Sequence, residues 1–377
     1  MTRYPDDVMG GGRQQPVGCE GVLRRVRRGI SSIPPGIDRK WRYDRGPGGP
    51  SLSYYFAIGI GTTSNLPLVE LILHAGGGVP SHHFKVRRGP DGVHLFSRSS
   101  GLNILFDEVS VPAPAWSVSP RQVSVALTNA CDLSCPHCYA PKYRARLNYD
   151  QVAKWLLELD EAGCLGVGFG GGEPTLHPDF ARLCKFVSQS TQLAVTFTTH
   201  SHRLNERIVA DLQGHVHFIR VSMDGVGSTY ETLRGRSFGR FRGQLELVRM
   251  LAPFGVNFVV NEATLPDLDM AISIAIECGA SEFLLLPERS TRTRTGIDAR
   301  TRSALCRWVG ASDKRIRLAV SEADKAGFPI CDPLEREQGL RSYAHIDAAG
   351  TLKRSSFDEG GVLIGALGFC AALQQLQ

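Results

Sequence analysis

Three cysteines, Cys131, Cys135 and Cys138, stand at a Cys-x3-Cys-x2-Cys spacing. Thiolates are soft ligands that suit zinc or iron–sulfur clusters. A closed structural site of either kind takes four protein ligands, and this stretch supplies three. Two readings follow. One metal position is left for a ligand from outside the chain, or a zinc site of Cys3His type is completed by His137 or by a distant histidine. Further along, Gly168-Phe-Gly-Gly-Gly-Glu-Pro174 offers successive glycines. Their backbone can approach a ligand closely and expose N–H and C=O groups to it. Ser222, in Val221-Ser-Met-Asp-Gly225, carries a hydroxyl that both donates and accepts. Asp224 and Gly225 also fit a plain turn.

These residues need elements to hold them. Gln122-Val-Ser-Val-Ala-Leu127 reads as a strand, being short, apolar and β-branched. Further strands are expected at 166–169, 194–198, 218–222, 257–261 and 282–286. Helices are expected between them at 150–162, 179–188, 206–213, 243–252 and 267–278. In the first helix Val152, Trp155, Leu156 and Leu159 share a face that must lie on a sheet, and Gly163 ends it. Pro266-Asp267 opens the last and Gly279 closes it. Alternating strands and helices build a parallel sheet with right-handed crossovers, curling toward a barrel. Six units predict an α/β fold with a partial, open (β/α)6 barrel. Ligands of such sheets sit at the carboxyl ends of the strands, which is where the cysteines, the glycine run, Thr198-Thr-His-Ser201, Ser222 and Asn261 all fall.

The cysteine spacing after a first strand, followed by Gly171-Gly-Glu-Pro174 and Ser222-Met-Asp-Gly225, resembles the radical S-adenosylmethionine (radical SAM) superfamily. The resemblance covers roughly residues 120–287. It implies that Cys131, Cys135 and Cys138 hold a single 4Fe–4S cluster whose fourth iron takes S-adenosylmethionine. Reductive cleavage of that molecule then gives a 5′-deoxyadenosyl radical, which abstracts a substrate hydrogen. It further implies cofactor contacts from Gly171, Gly172 and Glu173 (the methionine amino group), Ser222, Asn261, and His137 in the aromatic place that meets the adenine. No catalytic side chain is assigned. His200 and Ser201 depart from the Thr-Asn-Gly common at the third strand end. Leu233-Arg-Gly-Arg-Ser-Phe238 resembles the Arg-Gly…Phe segment of peptide-modifying members. Zinc has no reason to demand the glycine loop or the Ser-x-Asp-Gly strand end, so the agreement of motifs favours the cluster.

The flanks are different in kind. Residues 1–50 are rich in Gly, Pro and Arg and read as a flexible basic tail, with one short helix near 22–30. Much of the formal net charge of +6 comes from arginines there. A solvated tail explains that excess better than nucleic-acid contact. Residues 51–112 hold several short strand-like runs separated by turn signals, with a hairpin at Pro90-Asp-Gly92. His82, His83 and His94 are expected on exposed strand faces of this β-rich lead domain. The barrel is placed at 118–300. Residues 301–377 resemble the SPASM or twitch extension of radical SAM enzymes, a short α+β piece. Lys353-Arg-Ser-Ser356 stands where a cluster-binding cysteine is expected. A hydroxyl is a poor replacement for a thiolate on iron. Cys306, Cys331 and Cys370 fall short of a four-thiolate set, so the extension reads as degenerate, covering the barrel without clusters.

Composition is ordinary for a globular protein, 42% hydrophobic and 21% charged over 377 residues. No apolar run approaches membrane-spanning length and the start lacks a signal-peptide core, so a cytoplasmic location is expected. Ten cysteines in a chain of this length are no disulfide scaffold. Cys164, Cys184 and Cys278 read as small core residues. The expected function is a radical SAM oxidoreductase acting in ribosomal peptide maturation, supplied with electrons by a flavodoxin or ferredoxin. The alternatives are a radical SAM enzyme of small-molecule (cofactor or antibiotic) biosynthesis and, from a different class, a zinc-binding nucleic-acid-associated protein.

Overall fold

The computed structural model describes residues 42–43, 54–57 and 84–377 apart from 292–293 and 313–314. The basic tail with its helix near 22–30, the strand run at 68–73, and His82 and His83 lie outside the described residues. Two sheets organise the rest. The first runs in the order β1 (Arg42–Tyr43), β2 (Tyr54–Ala57), β5 (Leu102–Phe106), β4 (Gly92–Phe96), β3 (Lys85–Gly89). β3 and β4 form the hairpin expected at Pro90-Asp-Gly92, with Lys85 opposite Phe96.

The second sheet has ten strands. β6 (Gln122–Thr128), β7 (Gly166–Gly171), β8 (Ala194–Thr199), β9 (Phe218–Ser222), β10 (Phe254–Val260), β11 (Glu282–Pro287) and β12 (Arg317–Val320) are neighbours in chain order and all parallel. The parallel run is therefore one strand longer than the six units expected. On the free side of β6, β13 (Tyr343–Ile346) adds another parallel strand, followed by antiparallel β14 (Thr351–Lys353) and β15 (Val362–Leu363). Strands from 301–377 thus extend both edges of the barrel sheet.

From β6 to β11, the strands alternate over their central residues. Val123, Val125, Leu127, Val167, Phe169, Val195, Phe197, Ile219, Val221, Val256, Phe258, Phe283 and Leu285 are buried in one continuous core with the surrounding helices. The intervening Ser124, Gly168, Thr196, Thr198, Arg220, Ser222 and Asn257 are half-buried and small or polar. Successive side chains point to opposite faces of a strand, so the apolar set packs the helices and the intervening set lines the concave face. That face is small or polar on β6 to β9, while Val259, Leu284 and Leu286 add apolar side chains on β10 and β11, a mixed lining suited to a ligand with polar and apolar parts.

The first sheet docks at the amino ends of the barrel strands. Arg87 is buried, pairs with Glu337, and donates to the carbonyls of Gly163 and Arg341 at 2.9 and 3.0 Å. Arg98 reaches the carbonyls of Ser188, Thr191 and Leu193. Phe96 packs with Leu165 and Ala194. His94 corrects an expectation. It is buried at 3% exposure, 2.8 Å from Asn103 Oδ1, and burial holds its pKa down to about 3. β4 is covered on both faces, one by the sheet's own core and one toward the barrel, so it has no exposed side for His94 to occupy.

Candidate active site

β6 delivers the chain into the cysteine loop, and the loop is anchored before its first cysteine. Gly172 N–H donates to the Thr128 carbonyl at 2.7 Å and Glu173 N–H to the Ala130 carbonyl at 2.8 Å. The β6–β7 ladder therefore continues past the strands and fixes the glycine run against the cysteine loop. This gives Gly171 and Gly172 a reason in addition to the one expected. A Cβ on Gly171, whose φ is +106°, would lie 2.4 Å from the Thr128 oxygen, and one on Gly172 would lie 2.1 Å from the Ala130 oxygen. It is protein backbone that excludes a side chain there. Gly170, by contrast, faces open space.

Glu173 is buried and its carboxylate is held on all sides. It accepts from Thr175 Oγ1 at 2.7 Å, from Thr199 Oγ1 at 2.9 Å, and from the His200 backbone N–H at 3.1 Å. His200 Nε2 lies 2.9 Å from Asp132 Oδ1 and 3.3 Å from Glu173 Oε2. The third strand end thus links the cysteine loop to the glycine loop. Ser201, standing where glycine is common in the resembling family, has a φ of 64° and is fully buried. That left-handed conformation costs a non-glycine residue about 1–2 kcal/mol.

A second knot lies at the fourth strand end. Asp224 is buried at 1% exposure. Its oxygens take the Val259 N–H at 2.9 Å, His137 Nε2 at 2.7 Å and the Arg234 guanidinium. Burial pushes the Asp224 carboxyl up, but Arg234 and the His137 hydrogen bond outweigh it and hold the pKa at about 2. Asp224 is therefore an anchor, and the plain-turn reading missed that. Arg234 Nη1 also lies 3.4 Å from Cys135 Sγ. The short helix Ser228–Arg234 that carries it escaped the sequence reading, because seven residues between Gly227 and Gly235 look like a turn.

The structure gathers most of the expected site residues on one face. Cys135 is buried, while Cys131 and Cys138 are partly exposed. His137 is tied to Asp224 through one ring nitrogen, and its buried Nδ1 has no partner among the described residues. Ser222 sits on the concave face at the end of β9. Asn257 Oδ1 on the same face is also buried without a partner among the described residues. Asn261 is differently occupied. Its Oδ1 accepts from Ala263 and Thr264 N–H at 3.0 Å each, and its Nδ2 donates to Glu288 at 2.9 Å.

Among the described residues, Cys131, Asp132 and His200 each offer a ligand atom, and these atoms all lie within 4.8 Å of one another. The unpartnered polar atoms of His137 and Asn257 fit a polar molecule bound on this face of the sheet.

Residues 125–271 match the radical SAM superfamily. Relatives include an AdoMet-dependent heme synthase of Methanosarcina barkeri, 28% identical over 46% of this chain and 53% of the relative. A PqqA peptide cyclase of Bradyrhizobium diazoefficiens is 30% identical over 54% of each chain. The chain thus spans about half the length of the curated relatives it matches. In fold it is similar to Streptococcus suis SuiB bound to precursor peptide SuiA, with a TM-score of 0.59 at 13% identity over 73% of this chain and 83% of that one.

Proposed function

We propose that this chain, whose residues 125–271 match the radical SAM superfamily, is a radical SAM enzyme that modifies a ribosomally made peptide. The observation that carries the reading is the cysteine trio on the carboxyl-end face of a parallel sheet, with the glycine run locked against its loop by the Gly172 and Glu173 N–H groups. Cys131, Cys135 and Cys138 would hold a 4Fe–4S cluster, and S-adenosylmethionine would take the open iron. Together these supply reductive cleavage of a sulfonium and abstraction of a substrate hydrogen.

The chain's own residues bind, orient and enclose. Glu173, held by Thr175, Thr199 and His200, presents a carboxylate that cannot swing away from an ammonium group. Gly171 and Gly172 place that carboxylate by locking the loop to the cysteine loop. Ser222 offers a hydroxyl from the concave face, and His137 a ring fixed by Asp224. Asn261 contributes by ordering the loop after β10 rather than by a spare amide. The 301–377 segment reaches the rim. The Phe357 ring lies 4.8 Å from the Tyr139 ring, and Tyr139 follows Cys138 directly. The β14–β15 loop, where serines replace a cysteine, therefore folds back over the cysteine loop and narrows the mouth of the site.

Peptide modification is favoured by the relative named as a peptide cyclase and by the likeness in fold to a peptide-bound enzyme. The first sheet would hold part of the peptide. β3 flanks a cleft of about 570 Å³ lined by Lys85, Val86, Arg88, Trp116 and Asp160. Ser117 already bonds the outward N–H and carbonyl of Arg88, so the peptide would be held by the cleft's side chains and by the strand before Arg88, where an edge can accept an added strand. The heme synthase relative favours the second reading, a small-molecule substrate. A flavodoxin or ferredoxin would donate electrons in the cytoplasm.

Two measurements test this. Anaerobic reconstitution should load about four irons per chain, whereas tight zinc with no iron uptake would support the zinc-binding alternative. Incubation with a peptide encoded beside the gene should bind it and change its mass. No affinity for any neighbouring peptide, with turnover of a small metabolite instead, would replace the peptide reading with the second.

A further inference from the structure

The Arg234-Gly-Arg236 segment supplies none of the S-adenosylmethionine contacts assigned above, yet it grips the cysteine loop twice. Arg234 Nη1 lies 3.4 Å from Cys135 Sγ, and the other arm of the same guanidinium pairs with Asp224. Arg236 Nη2 donates to the backbone carbonyl of Asp132 at 3.0 Å. Gly235 stands between them at φ +63°, the left-handed residue that ends the helix Ser228–Arg234. That turn lets two arginines separated by one residue reach Asp132 and Cys135 of the same loop.

Arg234 is 11% exposed and Cys135 is buried. A guanidinium does not lose its proton in a protein, so a permanent positive charge with an N–H donor faces a ligand sulfur away from water. Asp224 fixes which arm points there. It is itself bonded to Val259 N–H and His137, so the guanidinium cannot pivot freely. Cluster potentials respond to net charge and to hydrogen bonds on the sulfurs. Reduction adds one electron and breaks no bond, and a donor and positive charge at the sulfur stabilise the more negative reduced state.

We propose that Arg234, oriented by Asp224, is a positioning and tuning residue that raises the reduction potential of the cluster held by Cys135 and its partners, while Arg236 straps the loop. This deepens the cluster reading and rests on it.

The test uses the full reconstituted chain. In redox titrations followed by electron paramagnetic resonance, R234Q should load iron but show a reduction equilibrium constant at least tenfold lower, equal to 59 mV for a one-electron couple. R234K, keeping charge without the planar fork, should fall between R234Q and the unsubstituted protein. A second measurement needs no substitution. In protein labelled with ¹⁵N-arginine, pulsed resonance of the reduced cluster should show a nitrogen coupling, and labelled R234K should lose it. Loaded variants that titrate at the unsubstituted potential, or labelled protein with no arginine coupling, would overturn the proposal. If neither variant loads, the labelled protein alone decides. Absence of about four irons from the unsubstituted chain would refute the cluster reading instead.

Discussion

Glu173 shows how a single residue serves two purposes at this site. Its carboxylate ties the ends of β7 and β8 together and is a negative group on the face where a cationic cofactor would lie. A hydrogen bond to a charged group contributes about 1.5–3 kcal/mol. Glu173→Gln keeps the shape and removes the charge. Its affinity for S-adenosylmethionine, measured by equilibrium dialysis of the iron-loaded protein, should fall by about tenfold or more with iron content unchanged. An unchanged affinity would leave Glu173 only its loop-binding part. The cysteines and Gly171-Gly-Glu173 were legible because each motif is contiguous and its residue types are unusual together. Asp224, Arg234 and His137 were not legible as a unit. Their partnership arises from three separate segments meeting, and nothing in the spacing of a histidine, an aspartate and an arginine announces that.

At the scale of elements, alternation carried most of the reading. The barrel strands bury one row of β-branched and aromatic residues, and this pattern marked their positions to within a few residues. Boundaries failed where other forces act. The helix Phe238–Leu251 begins five residues before the expected start, because Ser237 caps it by accepting the Arg240 N–H and Phe238 and Phe241 pack beneath it. His94 failed because alternation on β4 reports an exposed face only when one face is exposed. The join between the first sheet and the barrel was also invisible, since it depends on buried charges. Glu337, 4% exposed, is met by Arg87 and, at 3.2 Å, by Arg121. Removing one partner of a buried pair costs about 3–5 kcal/mol, and Arg121 should hold the loss near the lower end. Arg87→Leu should therefore lower the denaturation midpoint of the full chain while the reconstituted iron content stays the same. An unshifted midpoint would show that the first sheet contributes little to the barrel.

For the molecule as a whole, the two ends of the barrel have separate tasks. The amino ends of the strands are closed by the first sheet through Arg87, Arg98 and Phe96. The carboxyl ends carry the cysteine loop, with the β14–β15 loop folded over its rim. Dropping the residues before Pro114 would uncover Leu165 and Ala194 and leave Glu337 short of a partner, so such a deletion would confuse peptide binding with stability. Among the described residues, no helix is long and apolar enough to cross a membrane.

Reductive cleavage of S-adenosylmethionine at the cysteine trio is tested by giving the reconstituted full chain S-adenosylmethionine and a strong reductant under anaerobic conditions and following 5′-deoxyadenosine by chromatography. 5′-Deoxyadenosine should accumulate with the unsubstituted protein, and Cys135→Ala should abolish it. Iron-loaded, folded protein that forms none under any reducing condition, or Cys135→Ala protein that forms as much, would contradict cleavage at the trio.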